Sequence, residues 1–413
     1  MNLLAYILTS LLFVGPVILA VVGWPVEGDF KSVYLYPSFY ILIVFVLVAF
    51  TKGNLKEKKY KYAVWILMVT IVWFLLNKVM GRSNSTMILF NSMALPAMYY
   101  IFYELLKNGL LNRKIIRNLI LLFFTINCLV AIYERLTMHL YFPFDLIRTD
   151  FDLDMIQEEM VFRSSALLGH PLTNALFMAI IMIFILVSDI RPLKKYLLYI
   201  IGFFSLFCFN ARAAIMISAG TFALYASRPL FRRGTSFSKK FFSVVLLFAF
   251  GAIGFYLLSA GYGGRFEEQG DFSEDNSTLA RIEVWSIFSR YGVTNFLWGM
   301  SGKDVEKIAI AVMGITHIEN WFILSTMVVG LVVTTIVTLL FIPLYRSAQK
   351  MYDRFTSFLL FVVVVGLSST NNSLACGVQA LSLFFACCYA FPQLAIEKET
   401  NNCVVIEDET EMA

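Results

Sequence analysis

The chain has 413 residues, of which 59% are hydrophobic and only 15% are charged, and its formal net charge is +5. This composition excludes a soluble globular protein, and no basic, aromatic-rich soluble segment indicates a nucleic-acid partner. It is typical of an all-α polytopic membrane protein.

Long apolar runs predict about twelve transmembrane helices, most of them near the length that crosses a hydrocarbon core of ~30 Å. Nine fall within residues 1–259 and three within 318–393, and the acidic tail 394–413 is predicted to be disordered. The predicted spans are 2–23, 33–50, 62–80, 86–106, 115–133, 165–187, 196–209, 213–226, 241–259, 318–341, 355–369 and 372–393.

Lysine and arginine residues cluster in alternate connections, after spans 2, 4, 6, 8 and 10. Because basic residues accumulate in cytoplasmic loops, this distribution predicts that both termini lie in the cytoplasm and that odd-numbered connections lie outside. Five of the six cysteines fall in predicted spans and the sixth in the tail, so we expect no disulfide and no zinc site.

Two of the outer connections are long, and long loops in a compact membrane protein usually carry function. Residues 134–164 are predicted to form a short acidic outer loop, and residues 260–317 a large helical outer loop. Within the second, Ser277 is suited to cap a helix over 278–290 that Gly292 would end. A further helix is predicted over 303–312.

A hairpin near the middle of the chain gives the strongest indication of function. Apolar runs over 197–209 and 213–225 flank the turn Asn210-Ala211-Arg212. Each arm corresponds to roughly 22 Å of helix, less than the ~30 Å core, so the turn is predicted to lie below the membrane surface. An arginine there is costly unless it faces a wet cavity or an anion. The alternative is that Arg212 snorkels to the headgroups.

Further candidate polar residues fall on the same predicted outer side. Arg163 opens span 6, and His170 would share its helical face if the helix already runs there. Alternatively, His170 is a helix-start residue before a proline at the first helical position. The remaining candidates belong to the large loop and the start of span 10: Arg265, Arg281, His317, Glu319 and Asn320.

Group transfer from a phosphorylated lipid would use several outer arginines and one or two bases. Guanidinium forks bind phosphate oxygens in pairs and stabilise a leaving diphosphate, and a carboxylate or imidazole accepts the proton of an attacking hydroxyl. The arginines could replace a metal as the countercharge, so we expect no metal and no cofactor. They could instead bind only anionic membrane lipids. No internal repeat supports a transporter.

Four short motifs together resemble the superfamily of bacterial Wzy polysaccharide polymerases and O-antigen ligases. They are the stretch from Phe162 to Pro171, the hairpin Asn210-Ala211-Arg212-Ala213, Arg281 before Trp285, and the segment that ends at Gly330. The resemblance in topology covers nearly the whole chain, including the large outer loop before a late span.

The resemblance implies a metal-independent, GT-C-like glycosyltransferase of the bacterial inner membrane, with its active site facing the periplasm. Donor and acceptor would be glycans linked to undecaprenyl diphosphate, with a chain-length regulator and a flippase as further partners. It assigns the diphosphate to Arg212 and Arg281, supported by Arg163 and Arg265. It assigns the base that accepts the proton of the acceptor hydroxyl to Glu319 or His317. His170 and Asn320 are supporting candidates.

The late motif helps to choose between the two activities of this superfamily. The ligase pattern has His, then Asn, Ser or Gln, nine residues and Gly. This chain has Glu319-Asn320, nine residues and Gly330, with His317 two residues early and Val333 also departing from the pattern. The resemblance therefore favours an O-antigen or exopolysaccharide polymerase. A ligase that transfers glycan to lipid A-core is the alternative, and a lipid-linked glycan transporter is the third.

Overall fold

The fold was determined as a computed structural model, which describes residues 2–14, 16–21, 42–44, 46–47, 51, 60–81, 90–107, 113–141, 162–262, 284–290, 292–313, 318, 320–370 and 380–392. These residues form helices joined by turns, and no strand occurs among them. The prediction of an all-helical protein is confirmed for this part of the chain.

The α-helices are α1 Asn2–Leu11, α2 Pro16–Val21, α3 Lys61–Val79, α4 Leu95–Lys107, α5 Arg113–Thr137, α6 Pro171–Val187, α7 Pro192–Cys208, α8 Arg212–Phe231, α9 Phe237–Ser259, α10 Val293–Trp298, α11 Gly302–Met313, α12 Trp321–Val329, α13 Leu331–Gln349, α14 Arg354–Thr370 and α15 Ala380–Ala390. A π-helical turn, Phe90–Ala94, precedes α4, and a 3-10 helix, Val284–Arg290, precedes α10.

Four of the described helices are long and apolar enough to cross a membrane: α3, α5, α9 and α13. Helices α6, α14 and α15 are also apolar but shorter, at 17, 17 and 11 residues. The chain is therefore a helical membrane protein.

Helix α6 lies at the centre of the bundle. Its sequence is apolar on every side, and all of its residues except Leu172 and Thr173 are buried. A helix without a polar face is stable only when neighbours cover it completely or lipid surrounds it. Here α5, α7, α8, α14 and α15 pack around it.

The hairpin of α7 and α8 differs in length from the sequence prediction. The two helices have 17 and 20 residues, or about 26 and 30 Å at the α-helical rise. The predicted short arms are therefore wrong, because each helix continues through basic residues at its far end, including Lys194 and Arg228. The turn is nevertheless buried, with Asn210 only 3% exposed.

Ion pairs fix the opposite end of the bundle from this turn. Arg117 of α5 contacts Asp189 at 2.6 Å, just after α6, and Arg228 of α8 contacts Asp353, which precedes α14. The ammonium of Lys195 donates to the Ser188 carbonyl at 2.7 Å. We call this the basic end and the end that carries the Asn210 turn the turn end.

The predicted span 318–341 is two helices rather than one. Helix α12 ends and α13 begins at Gly330, whose φ of 94° an L side chain rarely adopts. The segment that follows α10 packs into this break, where the Met300 amide donates to the Met327 carbonyl at 3.0 Å. A Cβ on Gly299 or on Gly330 would clash with the backbone of the other segment.

The two predicted outer loops also differ in detail from the structure. Helix α5 continues to Thr137, so the first residues assigned to the acidic loop 134–164 are helical. Gly292 precedes α10 as its N-cap residue instead of ending a helix over 278–290, of which the structure describes the 3-10 helix 284–290. Helix α11 coincides with the helix predicted over 303–312.

Candidate functional site

Residues 162–170 form a non-helical segment at the turn end, which we call the docked loop. Helix α6 starts only at Pro171, and both Ala166 and Gly169 have positive φ, at 40° and 71°. The Asn174 amide group of α6 donates to the carbonyls of Ser165 and His170, the second at 3.0 Å. The loop is therefore held in an irregular conformation by side chains of the helices around it.

A polar stripe on α5 supplies the acceptors for this loop. Asn127, Ala131 and Glu134 are spaced i, i+4 and i+7, which places them on one face of the helix. The Ala131 carbonyl accepts from the Ser164 hydroxyl at 2.7 Å, and the Asn127 side-chain oxygen accepts from the Leu167 amide at 3.0 Å. Because the loop is not helical, its polar groups have no helical partners, and the stripe supplies acceptors for them instead.

Glu134 contributes most to this stripe, and its side chain is fully buried. Its Oε2 accepts from the amides of Ser165 and Ala166, both at 2.9 Å, and its Oε1 accepts from the Tyr141 amide at 3.2 Å. Backbone N–H groups that converge on one carboxylate satisfy a charge that would otherwise be costly to bury. Glu134 therefore fixes the course of the docked loop.

The docked loop is hydrogen-bonded to the hairpin turn. The Ser164 amide donates to the Cys208 carbonyl at 3.0 Å, and the Arg163 Nε donates to the Phe209 carbonyl at 3.2 Å. Asn210 follows with a φ of 50°, and Arg212 is the first residue of α8. The structure thus joins the segments that carry Arg163 and Arg212, both of which are partly buried.

Arg135 connects the same region to the end of α9. Its guanidinium donates to the Phe162 carbonyl at 3.4 Å and to the Gly261 carbonyl at 3.2 Å. It also lies over the rings of Phe162 and Tyr262, with its Cζ atom 5.8 and 5.5 Å from the ring centroids. Cation–π contacts of this kind favour a cation between aromatic groups. The docked loop and the chain that leaves α9 are therefore held together by one side chain.

His170 occupies the N-cap position of α6. Its Nδ1 accepts from the Leu172 amide at 3.2 Å, and Pro171 takes the first helical position. This is the helix-start alternative that the sequence offered. The prediction that His170 and Arg163 share a helical face is wrong, because residues 162–170 are not helical.

Asn320 is also an N-cap residue, at the start of α12. Its side-chain oxygen accepts from the Ile323 amide at 3.0 Å, and its side-chain nitrogen donates to the Ser369 carbonyl of α14 at 3.1 Å. The nine residues between Asn320 and Gly330 are the whole of α12. The spacing in the late motif therefore corresponds to one short helix between a cap and a break.

Four of the predicted site residues lie outside the described residues: Arg265, Arg281, His317 and Glu319. The other four are placed at the turn end, where Arg163, His170 and Arg212 belong to the docked loop and the hairpin. Asn320 starts a different helix. No group of three metal-ligating side chains occurs among the described residues.

Sequence reasoning missed the residues that hold this arrangement together: Asn127, Glu134, Arg135 and Asn174. A signal existed, since Asn127 and Glu134 are seven residues apart and therefore share one helical face in an otherwise apolar stretch. Ending the span at residue 133 assigned Glu134 to a solvated acidic loop instead.

The chain matches no protein-family model and no curated protein sequence.

Proposed function

We propose that the chain is a polysaccharide polymerase of the bacterial inner membrane, with about twelve spans and a GT-C-like fold. The turn end would face the periplasm, and both termini would lie in the cytoplasm. The observation that carries the proposal is the hydrogen-bonded junction of the docked loop and the hairpin turn. It places two partly buried arginine-bearing segments, those of Arg163 and Arg212, at one end of an apolar bundle.

An anion or a wet cavity stabilises partly buried arginines in a membrane protein. A diphosphate is a suitable anion, because guanidinium forks bind its oxygens in pairs. In the proposed reaction, an acceptor sugar hydroxyl forms a bond to the donor's anomeric carbon. The bond to the diphosphate oxygen breaks, and the diphosphate leaves with the electron pair. Arg212 and Arg281, supported by Arg163 and Arg265, would stabilise that charge.

The hydroxyl proton would pass to Glu319 or His317. We expect Glu319→Gln to abolish transfer, because an amide cannot accept a proton at neutral pH, whereas His317→Ala should only weaken transfer. Measured rates of polymer formation by the two purified variants test this ranking. The reverse ranking would reassign the base to the histidine.

Arg212→Ala is expected to abolish polymer formation while the protein remains in the membrane. Arg212→Lys should restore it only in part, because lysine keeps the charge but loses the fork. The measurement is incubation of purified protein with one lipid-linked repeat unit, followed by gel separation of the products. Arg232→Ala, at the exposed basic end, is the matched control and should still give a ladder of products. A ladder of normal length from Arg212→Ala would contradict the proposal.

A ligase is the second candidate, and the Asn320-to-Gly330 helix favours it because its length matches the ligase spacing. The surface glycan of a deletion strain separates the two activities. Loss of a polymerase leaves single repeat units attached to their acceptor, whereas loss of a ligase leaves the acceptor bare.

A further inference from the structure

A cavity of about 380 Å³ opens at the basic end, between the first turns of α7, the last turns of α8 and the start of α9. Its lining includes two basic side chains, those of Arg228 and Lys239, together with aromatic and aliphatic groups, among them Tyr196, Tyr225, Phe242 and Leu246. The cavity therefore combines basic and apolar groups.

The surroundings of this cavity carry an excess of positive charge. No aspartate or glutamate occurs between residues 190 and 266. Among the described residues, no carboxylate forms an ion pair with the basic side chains nearest to the connection between α8 and α9, namely Arg232, Arg233, Lys239 and Lys240. An anion would therefore meet uncompensated cations here.

Arg228 is the exception, because Asp353 neutralises it. Burial raises the pKa of Asp353, but hydrogen bonds from Thr356 and from the Arg228 guanidinium outweigh it and hold that pKa below its usual range. The Asp353 carboxylate is therefore charged at neutral pH and remains paired with Arg228. Lys239 is the cation of the cavity that this pair leaves available.

Basic residues and exposed aromatic residues lie close together around the cavity. Lys239, Phe242 and Leu246 are spaced i, i+3 and i+7 on one face of α9. On either side of the connection between α8 and α9, Phe231 and Phe237 are each 83% exposed. Aromatic and basic residues in this combination are typical of the boundary between lipid headgroups and acyl chains.

The start of α9 adds a second attraction for an anion. Ser236 is the N-cap residue, but its side chain accepts no hydrogen bond from the first turn. The Lys239 and Lys240 amides donate to the Ser236 carbonyl, at 3.1 and 3.2 Å. The N–H groups of Phe237 and Ser238 precede them at the helix start, where backbone donors favour negative charge. These two groups lie beside Lys239 in the same turn of the chain.

We propose that this cavity binds the headgroup of an anionic glycerophospholipid in the adjacent leaflet. The phosphate would contact Lys239 and the first turn of α9, and the hydroxyls of Tyr196 and Tyr225 would contact the glycerol part. The acyl chains would lie along Phe242 and Leu246. This site is at the opposite end of the bundle from the docked loop, so it stands or falls independently of the proposed glycan chemistry.

The test uses the full chain, purified in a neutral detergent and titrated with dioleoyl phosphatidylglycerol or dioleoyl phosphatidylcholine, with bound lipid counted by native mass spectrometry. We expect selective retention of phosphatidylglycerol. Lys239→Ala should weaken it about fivefold, the factor that corresponds to ~1 kcal/mol for one basic residue at an anionic surface. Leu246→Trp should also weaken it, by filling the cavity without a change of charge.

Lys240→Ala is the matched control, because it removes the same charge one residue outside the cavity lining. It should leave retention within about twofold of the wild-type value, well short of the loss for one basic residue in contact with the lipid. Equal losses from Lys239→Ala and Lys240→Ala would indicate diffuse attraction and overturn the proposal. Equal retention of both lipids would overturn it too. So would displacement of phosphatidylglycerol by millimolar inorganic phosphate, which would identify a site for free phosphate.

Discussion

Replacement of Glu134 by alanine is expected to release the docked loop and, if the proposed function is correct, to abolish polymer formation. The change removes the acceptor of three backbone amides, those of Tyr141, Ser165 and Ala166. The amides of Ser165 and Ala166 are buried, and an unsatisfied buried donor costs about 1–3 kcal/mol, so the expected loss of stability is about 2 kcal/mol or more. The melting temperature in detergent and polymer formation by the same preparation measure the two effects.

Two milder variants should lower the stability by smaller amounts. Glu134→Gln keeps one acceptor oxygen, but it places an NH₂ group opposite a backbone amide that donates to the carboxylate in the wild type. Its effect should therefore be intermediate. Asn127→Ala removes the acceptor of one amide, that of Leu167, and should cost least. A Glu134→Ala protein as stable as the wild type would show that the carboxylate does not hold the loop.

Gly330→Ala is expected to destabilise the contact between the segment around Gly299 and the break between α12 and α13. A side chain at a φ of 94° is strained by about 1–2 kcal/mol, and its Cβ would also clash with the backbone of Leu297 and Trp298. Backbone on both sides cannot yield as a flexible side chain would. We therefore expect a marked fall in melting temperature and in the yield of folded protein.

The opposing glycine gives a second route to the same result. Gly299→Ala should be about as damaging, because its Cβ would clash with Val328 and Gly330. Gly292→Ala is the matched control in the same loop, since a Cβ there meets nothing within 4 Å and its φ of −62° suits any residue. Wild-type melting temperatures for both Gly299→Ala and Gly330→Ala would refute the tight packing at this break.

The sequence was most informative where polarity decides the structure. Apolar runs located α3, α9 and α14 to within a few residues, because a helix without charges is driven out of water whatever its neighbours are. The helix over 303–312 was also predictable from local pattern. The sequence also predicted that Arg163 and the Arg212 turn lie on the same side of the protein, and the structure joins the segments that carry them.

What the sequence could not predict depends on contacts between distant segments. The docked loop is apolar enough to continue α6 towards its N-terminus. It stays non-helical because Glu134 and Asn127 of α5 take its amides and because Pro171 starts the helix. Likewise, Gly330 interrupts a uniformly apolar run, and the close approach of Gly299, from the segment that follows α10, explains the break.

The central helix α6 has a consequence for how the protein is assembled. Its side chains are as apolar as those of a helix that faces lipid, yet in the folded protein they contact other helices. On insertion α6 precedes α14 and α15 in the chain, so lipid must solvate the side that these two helices later cover. Completion of the bundle then exchanges lipid contacts for protein contacts, a step driven by shape matching rather than by exclusion of water.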